Sequence, residues 1–138
     1  PDLIFCHLKV KDKKSLLSML CNKLVDKGYV TKKYFKTVME RENMTPTSIG
    51  NGVAIPHGDT QEVNTAKIVI ATLDKPILWD SKYVDVVFLL VVKFSTDFEI
   101  RRTQQFYKQY IKLVDGDEQV SILRGFTSNI DFYRFLIQ

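Results

Sequence analysis

Residues 84–92 read VDVVFLLVV, apolar at every position but one. A strand open to water on one face alternates apolar and polar side chains, so a run this continuous has to be covered on both faces. It therefore belongs at the centre of a sheet that carries helices. Its uninterrupted part, Val86 to Val92, is far shorter than the roughly 20 residues that cross a bilayer. No basic, apolar, small-residue leader precedes it. The expectation is a cytoplasmic chain without membrane insertion.

The flanking segments supply the rest of such a sheet. Residues 3–10 (LIFCHLKV) suit an opening strand, and residues 67–73 (KIVIATL) another, joined to the central run by residues 76–82 around a core Trp79. Between the first two strands, Asp12 can cap a helix from Ser15 to Lys27. Its Leu16, Leu17, Leu20, Leu24 and Val25 recur at helical spacing, and Gly28 supplies the left-handed end. Thr31 suits the N-cap of a second helix reaching Glu42, with Phe35, Val38 and Met39 inward and Tyr34 flanking. Residues 45–52 (TPTSIGNG) are turn formers, followed by a short strand-like Val53-Ala54-Ile55. Beyond Asp97, Ile100, Phe106, Tyr107, Tyr110, Ile111 and Val114 form a helical stripe, and residues 118–123 and 130–137 are shorter helices. The fold class is α/β: a mixed sheet covered by helices.

The 138 residues, 45% hydrophobic and 26% charged, suit one core, hence one domain over residues 1–138. Pro1 stands where a methionine would begin a chain and the first strand follows at once, the register of a domain excised from a longer protein. Cys6 and Cys21 form no paired motif and read as reduced core thiols. Residues 9–36 hold nine lysines against two aspartates, a local +7 that leaves −3 elsewhere in a total of +4. Arginine and interleaved exposed aromatics are missing there, so the lysines read as a solvated helix face and not as a nucleic-acid footprint.

Chemistry concentrates in residues 41–59 (RENMTPTSIGNGVAIPHGD). His57 follows a proline at a strand end, with Gly58 next to it and Gly50 and Gly52 upstream, so it is held outward and can be approached closely. An imidazole titrates near neutrality, and its neutral nitrogen can attack a phosphoryl group. Arg41, at the end of the second helix, offers a planar fork of donors for phosphate oxygens. The residues by themselves leave open whether His57 is a nucleophile or only caps a turn. No phosphate-cradling glycine motif for nucleotides is present. Ser48 lacks the sharp glycine turn of a serine hydrolase, and His57 and Asp59 lack metal-ligand spacing. No cofactor and no metal are expected.

Residues 50–58 (GNGVAIPHG), preceded by RENMTPTSIG and followed by PILWDSKYVDVVFLLVV, resemble the enzyme IIA domains of the fructose and mannitol class of the bacterial phosphoenolpyruvate-dependent sugar phosphotransferase system. The resemblance spans nearly the whole chain, including the KGYV turn at residues 27–30. It implies a mixed sheet of about five strands flanked by helices. It also implies that His57 accepts a phosphoryl group from the phosphocarrier HPr, that Arg41 is the active-site arginine, and that an enzyme IIB is a downstream partner. Loop amides from Gly50 and Gly52 to Gly58 would then help hold the phosphate oxygens.

One departure shapes the functional expectation. Family members that feed a transporter usually carry a second active-site histidine where this chain reads Asp97-Phe98-Glu99-Ile100. Glu99 stands near that position, and a carboxylate there would orient His57 by accepting its other N–H while repelling incoming phosphate. His7, the only other histidine, reads as structural. The same departure is associated with enzyme IIA-like domains fused to transcription regulators that carry phosphotransferase regulatory domains, the antiterminator and activator families. The expected role is therefore a phosphohistidine signal acting on sugar-utilisation genes. The alternatives are a stand-alone enzyme IIA that serves fructose or mannitol uptake and a non-phosphorylated interaction domain. Regulatory domains of the parent protein, and a homodimer formed through it, are the further partners expected, with no direct nucleic-acid contact from this segment.

Overall fold

A computed structural model describes residues 3–93 and 116–136. Along them run strand β1 (Ile4–Leu8), helices α1 (Lys13–Asp26) and α2 (Tyr34–Met44), and strands β2 (Ser48–Gly50) and β3 (Val53–Ala54). A single 3-10 turn (Thr60–Glu62), strands β4 (Lys67–Trp79) and β5 (Lys82–Val91), and helices α3 (Asp117–Arg124) and α4 (Asn129–Leu136) follow. The strands form one mixed sheet in the order β1-β4-β5-β3-β2, with β5 at the centre as its apolar run requires. β5 lies antiparallel to β4 and parallel to β3, while β1 lies parallel to β4.

Both faces of β5 are covered. Val87, Leu89 and Val91 join Leu16, Leu17, Leu20 and Leu24 of α1 and Tyr34 and Val38 of α2 in one core, and Val86, Phe88 and Leu90 join Val120, Leu123 and Phe132 of α3 and α4 in the other. Burial of each such side chain contributes about 1.5–3 kcal/mol, so this strand is the principal anchor of the fold. Asp12 caps α1 as its sequence suggests, accepting the Ser15 amide at 2.7 Å.

Three local expectations are corrected. Helix α2 begins at Tyr34 and not beside Thr31, whose hydroxyl donates to Glu62 at 2.8 Å and accepts the Lys33 amide. Tyr34 is accordingly buried outright, while Phe35 and Met39 are only half-buried. Within residues 45–52 lies an added edge strand, β2, folded against β3 by a two-residue turn in which Asn51 and Gly52 both have positive φ (56° and 79°). Residues 76–79 are strand and not linker. Ile77, Leu78 and Trp79 pair with Val84, Tyr83 and Lys82 after a register break that contains Pro76, where a missing N–H costs no ladder bond.

His7 occupies the register break of β1 at φ +55°. Its amide donates to the Thr72 hydroxyl and its Nε2–H to the Arg124 carbonyl at 2.8 Å, ties that fit a structural role. The stripe from Ile100 to Val114, and Glu99, lie outside the described residues. Among the described residues no helix is long and apolar enough to cross a membrane.

Candidate active site around His57

His57 follows β3 and extends its parallel pairing by one bridge to Leu90 of β5. The Leu90 amide donates to the Pro56 carbonyl at 2.9 Å, which pins the peptide just before the histidine to the most deeply buried strand. The half-buried imidazole has Nδ1 3.4 Å from the Ile55 carbonyl. A carbonyl can only accept, so in this contact Nδ1 is the donor and Nε2 is the nitrogen left to meet a phosphoryl group. One side of the ring is tied to its own backbone.

Helix α2 supports the residues after the histidine. The Gly58 amide donates to the Tyr34 hydroxyl at 3.2 Å, and the Asp59 amide donates to the Thr37 hydroxyl at 3.0 Å. The Thr37 hydroxyl in turn donates to the Tyr34 carbonyl at 2.7 Å. The loop lies so close on the helix that a Cβ at position 58 would stand 2.5 Å from Thr37 Oγ1 and 2.9 Å from both Tyr34 Cε1 and Val38 Cγ2. Gly58 is thus required by the packing of the loop. Its amide is already engaged by Tyr34 in this conformation.

Arg41 lies one helical turn beyond Thr37, and residues four apart on a helix are neighbours on one face. The phosphate-binding arginine of the sequence reading therefore belongs to the same side of α2 as the loop that carries His57. Its Nη1 donates to the Thr45 carbonyl at 3.0 Å, one of five donors of the guanidinium.

Gly50 and Gly52 are placed elsewhere. Val53 pairs with Val86 and His57 with Leu90, so the start of β3 is about 13 Å from His57 along the sheet at 3.3 Å per residue. At that end Arg124 holds the Asn51-Gly52 turn, with Nε 2.8 Å from Asp85 Oδ2 and Nη2 donating to the Asn51 carbonyl. The expected cradle of amides running from position 50 to 58 is thereby split in two, with only the Gly58 end beside the imidazole. Ser48, half-buried on β2, pairs with Ala54 at the same distant end.

Sequence reasoning passed over Tyr34 and Thr37 as site residues. The spacing Tyr34, Thr37, Arg41 was the available signal, a three-then-four pattern that puts a phenol, a hydroxyl and a guanidinium on adjoining turns of one helix.

The remaining candidates fall away from this centre. Cys21 is buried in the core, and that burial pushes its thiol up to about 12. Cys6, half-buried, is raised for the same reason. Neither thiol is a ready nucleophile. Eight of the nine lysines in residues 9–36 have exposed positions; the exception is Lys13, 2.9 Å from the buried Glu42. Among the described residues no three His, Cys, Asp or Glu side chains converge as metal ligands.

Comparison with known proteins gives the family and the fold. The family model described as "Phosphoenolpyruvate-dependent sugar phosphotransferase system, EIIA 2" matches residues 1–138. Transcriptional regulator ManR of Bacillus subtilis is 32% identical over 136 residues, 99% of this chain and 20% of the regulator. A probable licABCH operon regulator of the same organism is 32% identical over 114 residues, 83% of this chain and 17% of the relative. The chain thus spans about a fifth of the length of these relatives. The crystal structure of IIA mannitol from Escherichia coli superposes with a TM-score of 0.80 at 21% identity, covering 99% of this chain and 96% of that one. A IIA mannitol in complex with phosphorylated enzyme IIB, also from Escherichia coli, gives 0.78 at 20% identity, covering 98% of this chain and 93% of that one. With the family model matching residues 1–138 and the PHG segment that holds His57 bridged to the central strand, this chain belongs to the EIIA 2 family of the phosphoenolpyruvate-dependent sugar phosphotransferase system.

Proposed function

We propose that this chain is a phosphoryl-accepting EIIA domain whose phosphorylation on His57 regulates transcription of sugar-utilisation genes. The observation that supports it best is the hold on the imidazole: Nδ1 lies 3.4 Å from the Ile55 carbonyl, which makes Nε2 the nitrogen to meet a phosphoryl group. In the reaction Nε2 attacks the phosphorus of the phosphohistidine on HPr. A new N–P bond forms as the donor's N–P bond breaks, and the electron pair of that bond returns to the donor imidazole. The attacking ring gains positive charge, and the Ile55 carbonyl stabilises it by accepting the Nδ1 proton in a charge-assisted bond. Arg41, after release of the Thr45 carbonyl, would neutralise the phosphoryl oxygens. Glu99 is retained as a candidate second partner of the ring. Gly58 serves by letting the loop approach α2, and Gly50 and Gly52 by shaping the turn at the far end of β3.

The regulatory reading rests on relatives in which a domain like this one makes up about a fifth of a transcriptional regulator. It places the domain in the cytoplasm with HPr, with phosphotransferase regulatory domains of its parent as the readers of the added charge. A second reading, onward transfer to an enzyme IIB, is favoured by the likeness to the IIA mannitol solved with phosphorylated IIB.

Incubation with phosphoenolpyruvate, enzyme I and HPr, followed by intact mass, tests the proposal. One acid-labile phosphate is expected on the wild type and none on His57→Ala. Failure to gain phosphate while HPr is phosphorylated in the same tube would leave a non-phosphorylated interaction domain. Rapid loss of that phosphate to an added IIB would favour the transport reading.

A further inference from the structure

A parallel bridge between His57 and Leu90 requires two main-chain bonds, one from the Leu90 amide to the Pro56 carbonyl and one from the Gly58 amide to the Leu90 carbonyl. The first is present at 2.9 Å. At the second, the Tyr34 hydroxyl joins the same two partners, accepting from the Gly58 amide at 3.2 Å and donating to the Leu90 carbonyl at 3.3 Å. One oxygen, delivered from α2 through the core, thus braces the ladder at the residue that carries the nucleophile. The peptide before His57 is fastened directly to β5, and the peptide after it is tied to β5 through the Tyr34 hydroxyl. The histidine is therefore held on both its sides.

We propose that Tyr34 is a positioning residue for phosphoryl transfer: its hydroxyl, bonded to both Gly58 and Leu90, sets the backbone at His57 so that the ring keeps Nδ1 on the Ile55 carbonyl and presents Nε2. This deepens, and rests on, the reading of His57 as phosphoryl acceptor. Tyr34 has no exposed surface and does not touch the reacting atoms. Burial raises its phenol above the ordinary value, so it stays protonated and can donate and accept at once. A phenylalanine would fill the same volume and lack only the bridging oxygen. Gly58 N–H and Leu90 C=O would then lose the hydroxyl that fastens both to α2, and the loop would shift. The ring then leaves its present orientation.

The test compares wild type, Tyr34→Phe and Leu123→Ala, the last weakening the core on the opposite face of the sheet. Phosphorylation is followed from HPr at several concentrations, and the ring nitrogens of His57 are observed by ¹⁵N NMR. Tyr34→Phe is expected to slow the maximal rate about tenfold with the half-saturating HPr concentration unchanged, and to convert the single Nδ1–H tautomer into a mixture. Leu123→Ala, although less stable, should keep the wild-type rate and tautomer. An unchanged rate in Tyr34→Phe overturns the proposal, as does an equal slowing in Leu123→Ala, which would mean that lost stability alone is responsible. Should the wild type itself take up no phosphate, the functional reading fails. The tautomer comparison then decides separately whether the hydroxyl orients the ring, and identical tautomers in wild type and Tyr34→Phe overturn that too.

Discussion

The Glu42 carboxylate accepts the indole N–H of Trp79 at 2.8 Å, with its side chain wholly excluded from water. Lys13 lies 2.9 Å from the same carboxylate and 5.0 Å from the centre of the Trp79 ring, and the Thr47 amide and hydroxyl both donate to Glu42. One buried charge thereby joins α1, α2, the β4–β5 hairpin and the segment entering β2. A buried carboxylate costs several kcal/mol to desolvate, and here every side of it is answered by a donor or a cation.

Removal of that carboxylate should cost more than an ordinary core truncation. Glu42→Ala leaves the Trp79 N–H and the Thr47 donors without their acceptor and Lys13 with only Asp80, 3.5 Å away, and a loss of about 3 kcal/mol or more is expected. Urea unfolding followed by the fluorescence of Trp79, the only tryptophan, measures it. A loss under about 1 kcal/mol would show that water replaces the carboxylate at little cost.

At the other end of β3, Gly52 combines φ +79° with a Cβ direction that meets Arg124 Nη2 at 2.5 Å and Asp85 Oδ1 at 2.8 Å. Gly52→Ala should destabilise by about 2 kcal/mol from backbone strain and collision together. Adding Arg124→Ala removes one collision but not the strain, so the double variant should lose less than the two single losses summed. Strict additivity in urea midpoints would mean that Arg124 does not press on the turn.

Gly58→Ala tests the closeness of the loop to α2. The added methyl meets Thr37, Tyr34 and Val38 within 2.9 Å, so the loop must lift from the helix. Phosphate uptake on His57 is expected to slow at least tenfold, by the same intact-mass assay, while the circular dichroism of sheet and helices is unchanged. Wild-type uptake would show that the loop shifts without moving the ring.

Alkaline pH should weaken the fold. Burial lifts the Cys21 thiol from its ordinary 9.0 to about 12. Between these values the unfolded chain has released the proton and the native one retains it, so stability falls as pH rises from about 9 toward 12 and is unaffected by this group below 9. Tyr34, also raised by burial, adds to the fall above its ordinary 10.0. Urea midpoints from pH 8 to 11 should decline, with a shallower decline in Cys21→Ala. An equally steep decline in that variant would assign the effect to other groups.

Much of the architecture was legible in the chain because the signals were local and redundant. The capping of α1 by Asp12 and the two-sided burial of the central strand each follow from a few neighbouring residues. Strand β2 was hidden because three residues of a turn-rich segment have no periodicity of their own; pairing with β3 makes them a strand. The second half of β4 was hidden by Pro76, which ends a strand in a local reading but is absorbed here by a register break.

The candidate site divides in the same way. His57, Gly58 and Arg41 stand out in sequence because their chemistry and conformational freedom are properties of the residues themselves. The separation of Gly50 and Gly52 from the imidazole is set by the register of β3 on β5, which no spacing along the chain encodes. Tyr34 is the plainest case. By composition it is one more aromatic on an amphipathic helix, and only the packing of α2 across the sheet carries its hydroxyl to both Gly58 and Leu90. The amino-acid sequence by itself determined which strand is central and singled out His57 as the candidate, since both follow from side chains and their immediate neighbours. The tertiary structure alone decided how that histidine is held, because a hydrogen bond between residues 24 and 56 positions apart exists only after the core has brought them together.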